Sequence, residues 1–217
     1  MNENAHTGLP ATLADDAIGT RQALLNAGRQ VFAERGYDGA SVRAITAEAG
    51  ANLGAITYHF GTKEAFYDAV IDSTIAPFVS AVLEAVSGAG TPLDRIEAGV
   101  RSYFGYLWRH PEIPRLILQS VVAGGMPPAA ALRHLQRLLG ALVALVVAGQ
   151  AEGTIREGDA AVMGLGIVSQ SLHLVVMRAA LRAVGGLELE DEETRLRLVD
   201  QLVEFVRAGL SSREGRT

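Results

Sequence analysis

The residues of this chain that could do chemistry cluster between positions 41 and 66, SVRAITAEAGANLGAITYHFGTKEAF. Asn52, Thr57, Tyr58 and His59 carry hydrogen-bonding groups, and no nucleophile–base pairing is evident among them. Such groups bind rather than react. Thr57 suits a base edge or a thymine methyl, while Tyr58 and His59 suit phosphate oxygens. Gly54 and Ala55 are short, so the start of their helix can sink into a major groove, and Gly54 removes a Cβ where a backbone or base edge comes close. Lys63 is the only lysine among 19 basic residues. It follows Thr62, a helix-capping type, so it falls in a first turn where the helix dipole disfavours a cation. A phosphate bound there would remove the conflict. Ser41, Val42 and Arg43 open the preceding helix and, with Asn52, Leu53 and Thr62, complete the candidate contact set.

Two short helices must present these groups. Ser41 can cap the first, which runs to Ala49 and ends at Gly50, and Asn52 can cap the second. A pair of this size around a tight turn has helix-turn-helix geometry. Leu53, Ile56 and Phe60, at spacings of three and four, form an apolar face that would lock the second helix against Ile45 and an earlier helix. That earlier helix carries Leu24, Ala27, Val31 and Phe32 on one face and stops at Gly36, which can take the left-handed cap conformation.

Other chemistries are poorly supported. The chain has no cysteine, hence no disulfide framework and no thiolate metal site, which fits a reducing cytoplasm. His6, His59, His110, His134 and His173 offer no i, i+4 pair with carboxylates, so no metal is expected. No Gly-x-Ser-x-Gly elbow or glycine-rich phosphate loop occurs. Asp191, Glu192 and Glu193 read as a charged first turn. Neither enzymatic activity nor a cofactor is expected.

The rest of the chain has the helical period, so the fold class is all-α, with about nine helices by this pattern. Residues 1–19 read as a disordered arm without the basic start and apolar run of a secretory signal. Residues 20–66 form the helix-turn-helix domain. Residues 67–217 are expected to form a helical ligand-binding and dimerisation domain, entered by a long helix from Thr62 to about Val86. Breaks at 87–90, 110–111, 124–128, 153–158 and 184–190 separate the later helices. The helix after Thr91 carries Ile96, Val100, Tyr103 and Leu107 on one stripe. The last carries Leu196, Val199, Val203, Val206 and Leu210. The net charge of −5 argues mildly against nucleic acid. Between Thr20 and Phe66, however, five cations (Arg21, Arg29, Arg35, Arg43, Lys63) face four anions (Glu34, Asp38, Glu48, Glu64). The run 160–177 lacks charge but contains Ser169, Gln170, Ser171 and His173. Buried helices explain it better than a membrane span.

Candidates to line a ligand cavity are Tyr103, Tyr106, Leu107, Gln119 and Met126, together with His134, Met163, Gln170, His173 and Met177. Gln170 and His173, one turn apart on the most apolar helix, suit either a pocket or an interface. Gly164, Gly166 and Ser169 allow close helix contact, as in a symmetric dimer through the last two helices.

The segment Ala23 to Asp72 resembles the N-terminal domain of the TetR family of transcriptional regulators. The phrases ALLNAGRQVFAERGYDGASVRAITAEAG and NLGAITYHFGTKEAF carry the resemblance, over roughly the first third of the chain. Many members have Tyr where Thr57 stands; Thr57 to Gly61 is more similar to a branch reading Asn-Tyr-His-Phe-Gly. The resemblance implies that Tyr58, His59 and Lys63 touch DNA. It also implies a cytoplasmic, homodimeric repressor that binds a palindromic double-stranded operator and responds to a small effector, apolar or aromatic by the branch likeness. Competing readings are an enzyme or carrier with a vestigial helix-turn-helix, and a membrane-associated helical protein.

Overall fold

The computed structural model describes residues 11–114, 116, 118, 126–185 and 191–212. Their helices run in the order α1 (Ala11–Gly39), α2 (Val42–Glu48), α3 (Ala55–Phe60), α4 (Lys63–Val86), α5 (Pro92–Arg109), α6 (Ala129–Ala151), α7 (Ala160–Val176), α8 (Arg178–Gly185) and α9 (Glu192–Leu210). Described residues 112–114, 116 and 118 are helical as well. The chain divides into two compact units, Met1–Ser73 and Thr74–Thr217. The division falls inside α4, beyond the boundary at 66 expected from the sequence.

In the first unit, aromatic and aliphatic residues of α1 meet those of α2, α3 and the start of α4. Leu24, Phe32, Ile45, Ile56, Phe66 and Val70 are all at most 1% exposed. Phe32 lies at the centre of an aromatic group, 4.6 Å from the Tyr67 ring, 5.8 Å from Phe66 and 6.2 Å from Tyr37. α1 breaks at Gly36, whose φ of 69° belongs to the left-handed region that favours glycine. Gly28 is required for a different reason: a Cβ there would lie 2.5 Å from Phe66 Cζ. Helix is already formed at Ala11, within the arm expected over 1–19, of which residues 1–10 lie outside the described residues. Between Ala11 and Ile18 no proline or glycine interrupts the helix-forming residues.

In the second unit α5 is central. Ile96, Val100, Phe104 and Leu107 are at most 2% exposed, and α5 packs on α6, α7 and α9. Thr91 and Asp94 make a reciprocal capping box at its start. Arg207 of α9 reaches back to Asp94 at 2.9 Å and to Glu97, and Arg101 pairs with Asp200. The loop after α6 is fastened to the end of α9 by a bridge between Ile155 and Ser211. There the Arg156 amide donates to Leu210 O at 2.8 Å, and Arg156 Nε to Gly209 O at 2.7 Å. One expected α9 stripe residue, Leu196, is 52% exposed; Val199, Val203, Val206 and Leu210 are buried. The helix expected to run on past Val176 breaks at Met177 and restarts as α8. α4 and α6 are long and apolar enough to cross a bilayer.

The Thr91 hydroxyl and amide, followed by Arg207, hold the Asp94 carboxyl below the usual carboxylate range. Its folded pKa is therefore depressed. The stability it contributes is present above the unfolded value, about 3.9, and is lost as pH falls through the folded value. Asp94→Asn should consequently flatten the acid limb of the stability curve below about pH 4, as measured by urea unfolding across pH. An acid limb identical to wild type would show that the capping box carries no proton linkage.

Candidate nucleic-acid interface

The helix-turn-helix is set by local hydrogen bonds within the first unit. The Ala44 amide donates to Ser41 Oγ at 3.1 Å, capping α2. Gly50 takes φ 62°, and the Ala51 amide donates to Thr46 O at 2.8 Å, closing the turn. The Ala65 amide donates to Thr62 Oγ1 at 3.0 Å, capping α4. The expected cap at Asn52 is corrected. α3 starts one residue after Gly54, its N-cap, which offers no side chain; Asn52 contributes only its carbonyl, to the Ala55 amide at 2.9 Å.

That register decides which side chains face outward. Ile56 is 1% exposed and Phe60 is half-buried against Phe66, with ring centroids 4.9 Å apart. Leu53, expected on the same inner face, precedes the helix and is 62% exposed. Asn52, Gly54, Thr57 and Tyr58 are exposed too, and Tyr58, at 80%, is the most open of the large apolar side chains in the described residues. His59 is half-buried, edge-on to the Tyr58 ring with centroids 4.9 Å apart. Ser41, Arg43 and Thr62 are exposed, while Val42, Ala55 and Lys63 are half-buried. A Cβ on Gly54 would meet nothing within 4 Å, so no neighbour in this unit requires glycine there.

Lys63 is engaged within the unit. Its Nζ donates to Tyr37 O at 2.6 Å and lies 4.4 Å from the centroid of the Tyr37 ring. Burial, with Glu64 next, raises the Tyr37 pKa, so the ring faces the ammonium as a neutral phenol. An ammonium has three donors, so further donors of Lys63 can serve a phosphate. Sequence reasoning missed Tyr37 as a partner. It also missed Arg21, whose exposed guanidinium sits 5.1 Å from the Phe60 ring centroid. Neither contact has a local spacing signal.

The candidate ligand residues do not gather in one place. Tyr103 lines a cavity of about 20 Å³ with Val82, Leu142, Ile167, Val168 and Ser171 among others. Burial holds its phenol protonated. Leu107 and His134 are buried in this unit, and Tyr106 stacks on His110 with centroids 4.5 Å apart. Met163 is buried, its sulfur 3.7 Å from Gln150 Nε2. Met126 is 79% exposed and Met177 is 37% exposed. Both had been expected to line the cavity; Met126 precedes Pro127–Pro128 ahead of α6 and Met177 ends α7. Gln119 lies outside the described residues. Gln170 and His173 face a separate, open concavity of about 630 Å³ between α7 and α9, with Leu198, Leu202 and Phe205. Among the described residues no cluster of His, Asp or Glu could hold a metal.

A helix-turn-helix with an exposed hydrogen-bonding second helix, followed in the chain by an all-helical unit, defines a DNA-binding regulator. Residues 24–70 match the family model of bacterial regulatory proteins of the tetR family. Residues 92–206, more than half of the chain, match a tetracyclin repressor-like C-terminal domain. The chain belongs to the TetR family of transcriptional regulators. The HTH-type transcriptional repressor NicS of Pseudomonas putida is 29% identical over 155 residues, 70% of this chain and 71% of that protein. Several other curated regulators match over less than half of their own length. The fold is that of a TetR regulator from Marinobacter aquaeolei (TM-score 0.73, 19% identity, 93% of this chain and all of that one). It is also that of AibR, solved with isovaleryl coenzyme A and operator DNA (TM-score 0.68, 19% identity, 86% and 97%).

Proposed function

We propose that this regulator is a cytoplasmic homodimeric repressor that grips a palindromic operator and is released from it by a small, mostly apolar or aromatic effector. One observation carries the DNA reading. α3 buries Ile56 and presents Thr57 and Tyr58 to solvent, with Asn52, Leu53 and Gly54 exposed in the turn ahead of it and Ser41, Arg43 and Thr62 exposed beside them. In this reading Thr57 meets a base edge, while Tyr58, His59 and Lys63 meet phosphates; Val42 and Ala55 shape the surface between them. The sequence from Thr57 to Gly61 supports membership of the Asn-Tyr-His-Phe-Gly branch.

For the dimer, α7 and α9 supply the surface. Val162, Leu165 and Phe205 are 66%, 52% and 64% exposed on these two helices, an apolar display that suits a symmetric helix-packed contact. Gln170 and His173 belong to that face. The effector site is assigned instead to the apolar interior of α5, α6 and α7 around Tyr103 and Ser171. At about 20 Å³ this cavity holds little more than a water, so a ligand binds by opening it. That requirement makes binding conformationally selective, the condition for any effect on DNA affinity. AibR, solved with an acyl thioester and its operator, supports the pairing of the two ligands in one fold.

The test is titration of the full-length protein with DNA from its own upstream region, alongside sedimentation. A dimer with a salt-sensitive, palindrome-specific complex is the expected result. Phe205→Glu should give a monomer that binds half-sites weakly. Undetectable affinity for every duplex at low salt would end the DNA reading. A screen of apolar and aromatic compounds should find one that raises Tm and releases DNA; if none does both, the ligand-gated reading fails.

A further inference from the structure

Leu53 is an anomaly in the first unit. It is apolar, it stands at a helix-like spacing from Ile56 and Phe60, and yet it is 62% exposed. The cause is local: α3 begins at Ala55, so Leu53 lies in the turn ahead of the helix and does not share its inner face. An apolar residue placed just before an N-cap commonly packs on the fourth helical residue. Here that residue is Tyr58, itself 80% exposed, so the chain does not shelter Leu53 in this way. Its neighbours Asn52 and Gly54 are exposed, and space beyond Gly54 is open for at least 4 Å.

A side chain without donors or acceptors, held at the leading end of a recognition helix, has one apolar partner on unmodified base edges. In the major groove that partner is the C5-methyl of thymine. Phosphates and the amino or carbonyl edges of other bases would strip water from Leu53 without offering it a contact. We propose that Leu53 reads the 5-methyl group of one thymine in each operator half-site, an inference that rests on the DNA-binding reading above. Leu53 is thereby a specificity-determining residue, and Thr57 reads a neighbouring base.

The experiment uses the full-length protein and an operator selected by it from random duplexes. Each thymine of the selected site is then replaced in turn by deoxyuridine, which removes the methyl and nothing else. For one thymine per half-site, replacement should weaken wild-type binding about four-fold per contact, corresponding to about 0.8 kcal/mol for a methyl-sized group. Leu53→Ala should bind the thymine and deoxyuridine duplexes equally, with its Tm and salt dependence unchanged. Thr57→Ala should keep the discrimination. If no thymine shows methyl sensitivity, or if Leu53→Ala retains it, the proposal is overturned; loss in Thr57→Ala alone would assign the methyl to Thr57. Failure to select any duplex overturns the DNA reading together with this proposal, and so differs from these outcomes.

Discussion

Phe32→Ala should abolish DNA binding at physiological temperature although Phe32 contacts no solvent and would touch no nucleotide. Its ring is fully buried and packs against Phe66, Tyr67 and Tyr37. Truncating a buried Phe to Ala costs about 3–5 kcal/mol, the sum of lost transfer energy and the cavity left behind. Few other large side chains of the first unit are as deeply buried, and a small domain begins near the low end of the usual stability range of about 5–15 kcal/mol. The remaining stability is then too small to hold α2 and α3 in register. Urea unfolding of wild type and variant, followed by helical circular dichroism, measures the loss. Phe32→Leu keeps most of the volume and should recover more than half of it. A loss below about 1 kcal/mol for the alanine variant, the scale of an ordinary mutation, would mean that the aromatic group does not organise this unit.

The second large effect is expected from Lys63. Its removal should weaken binding to all sequences and lower the slope of log affinity against log salt by about one for each Lys63 lost. In the proposed dimer two copies would make the variant less sensitive than wild type by about sixteen-fold between 50 and 200 mM salt. The contact with Tyr37 gives this substitution a second consequence. The bond from Nζ to Tyr37 O at 2.6 Å ties the start of α4 to the end of α1, so Lys63→Ala should also lower Tm slightly. Lys63→Arg keeps the charge and should restore the salt slope. A slope unchanged in the alanine variant would confine Lys63 to the Tyr37 contact and remove it from the DNA surface.

What could be read from the sequence was local. Ser41 and Thr62 cap the helices that follow them because a hydroxyl there meets an amide three residues on. Gly36 and Gly50 occupy turns that need positive φ. Burial of Ile56 and of the α5 stripe followed from helical spacing. The errors arose where spacing was applied one residue too far. Leu53 belongs to the turn and not to the helix, and Leu196 sits at the solvent end of an otherwise buried α9 stripe. The break at Met177 has no glycine or proline to announce it. The ligand residues were least legible, because a cavity depends on which helices pack together: Tyr103 faces one space, Gln170 and His173 another, and Met126 neither. The contact between Lys63 and Tyr37 spans 26 residues and no motif encodes it.

The fastening of the loop after α6 to the end of α9 bears on how motion in the second unit can be followed. Amide hydrogens in surface loops ordinarily exchange with solvent quickly, since water is their partner. The Arg156 amide donates instead to Leu210 O, and its side chain holds Gly209 O, 53 residues away in the chain. Its exchange therefore requires the last turn of α9 to lift away. One loop hydrogen thus serves as a clock for fraying of a distant helix. Because α9 is half of the surface proposed for the dimer, the same hydrogen would register how firmly two copies hold each other.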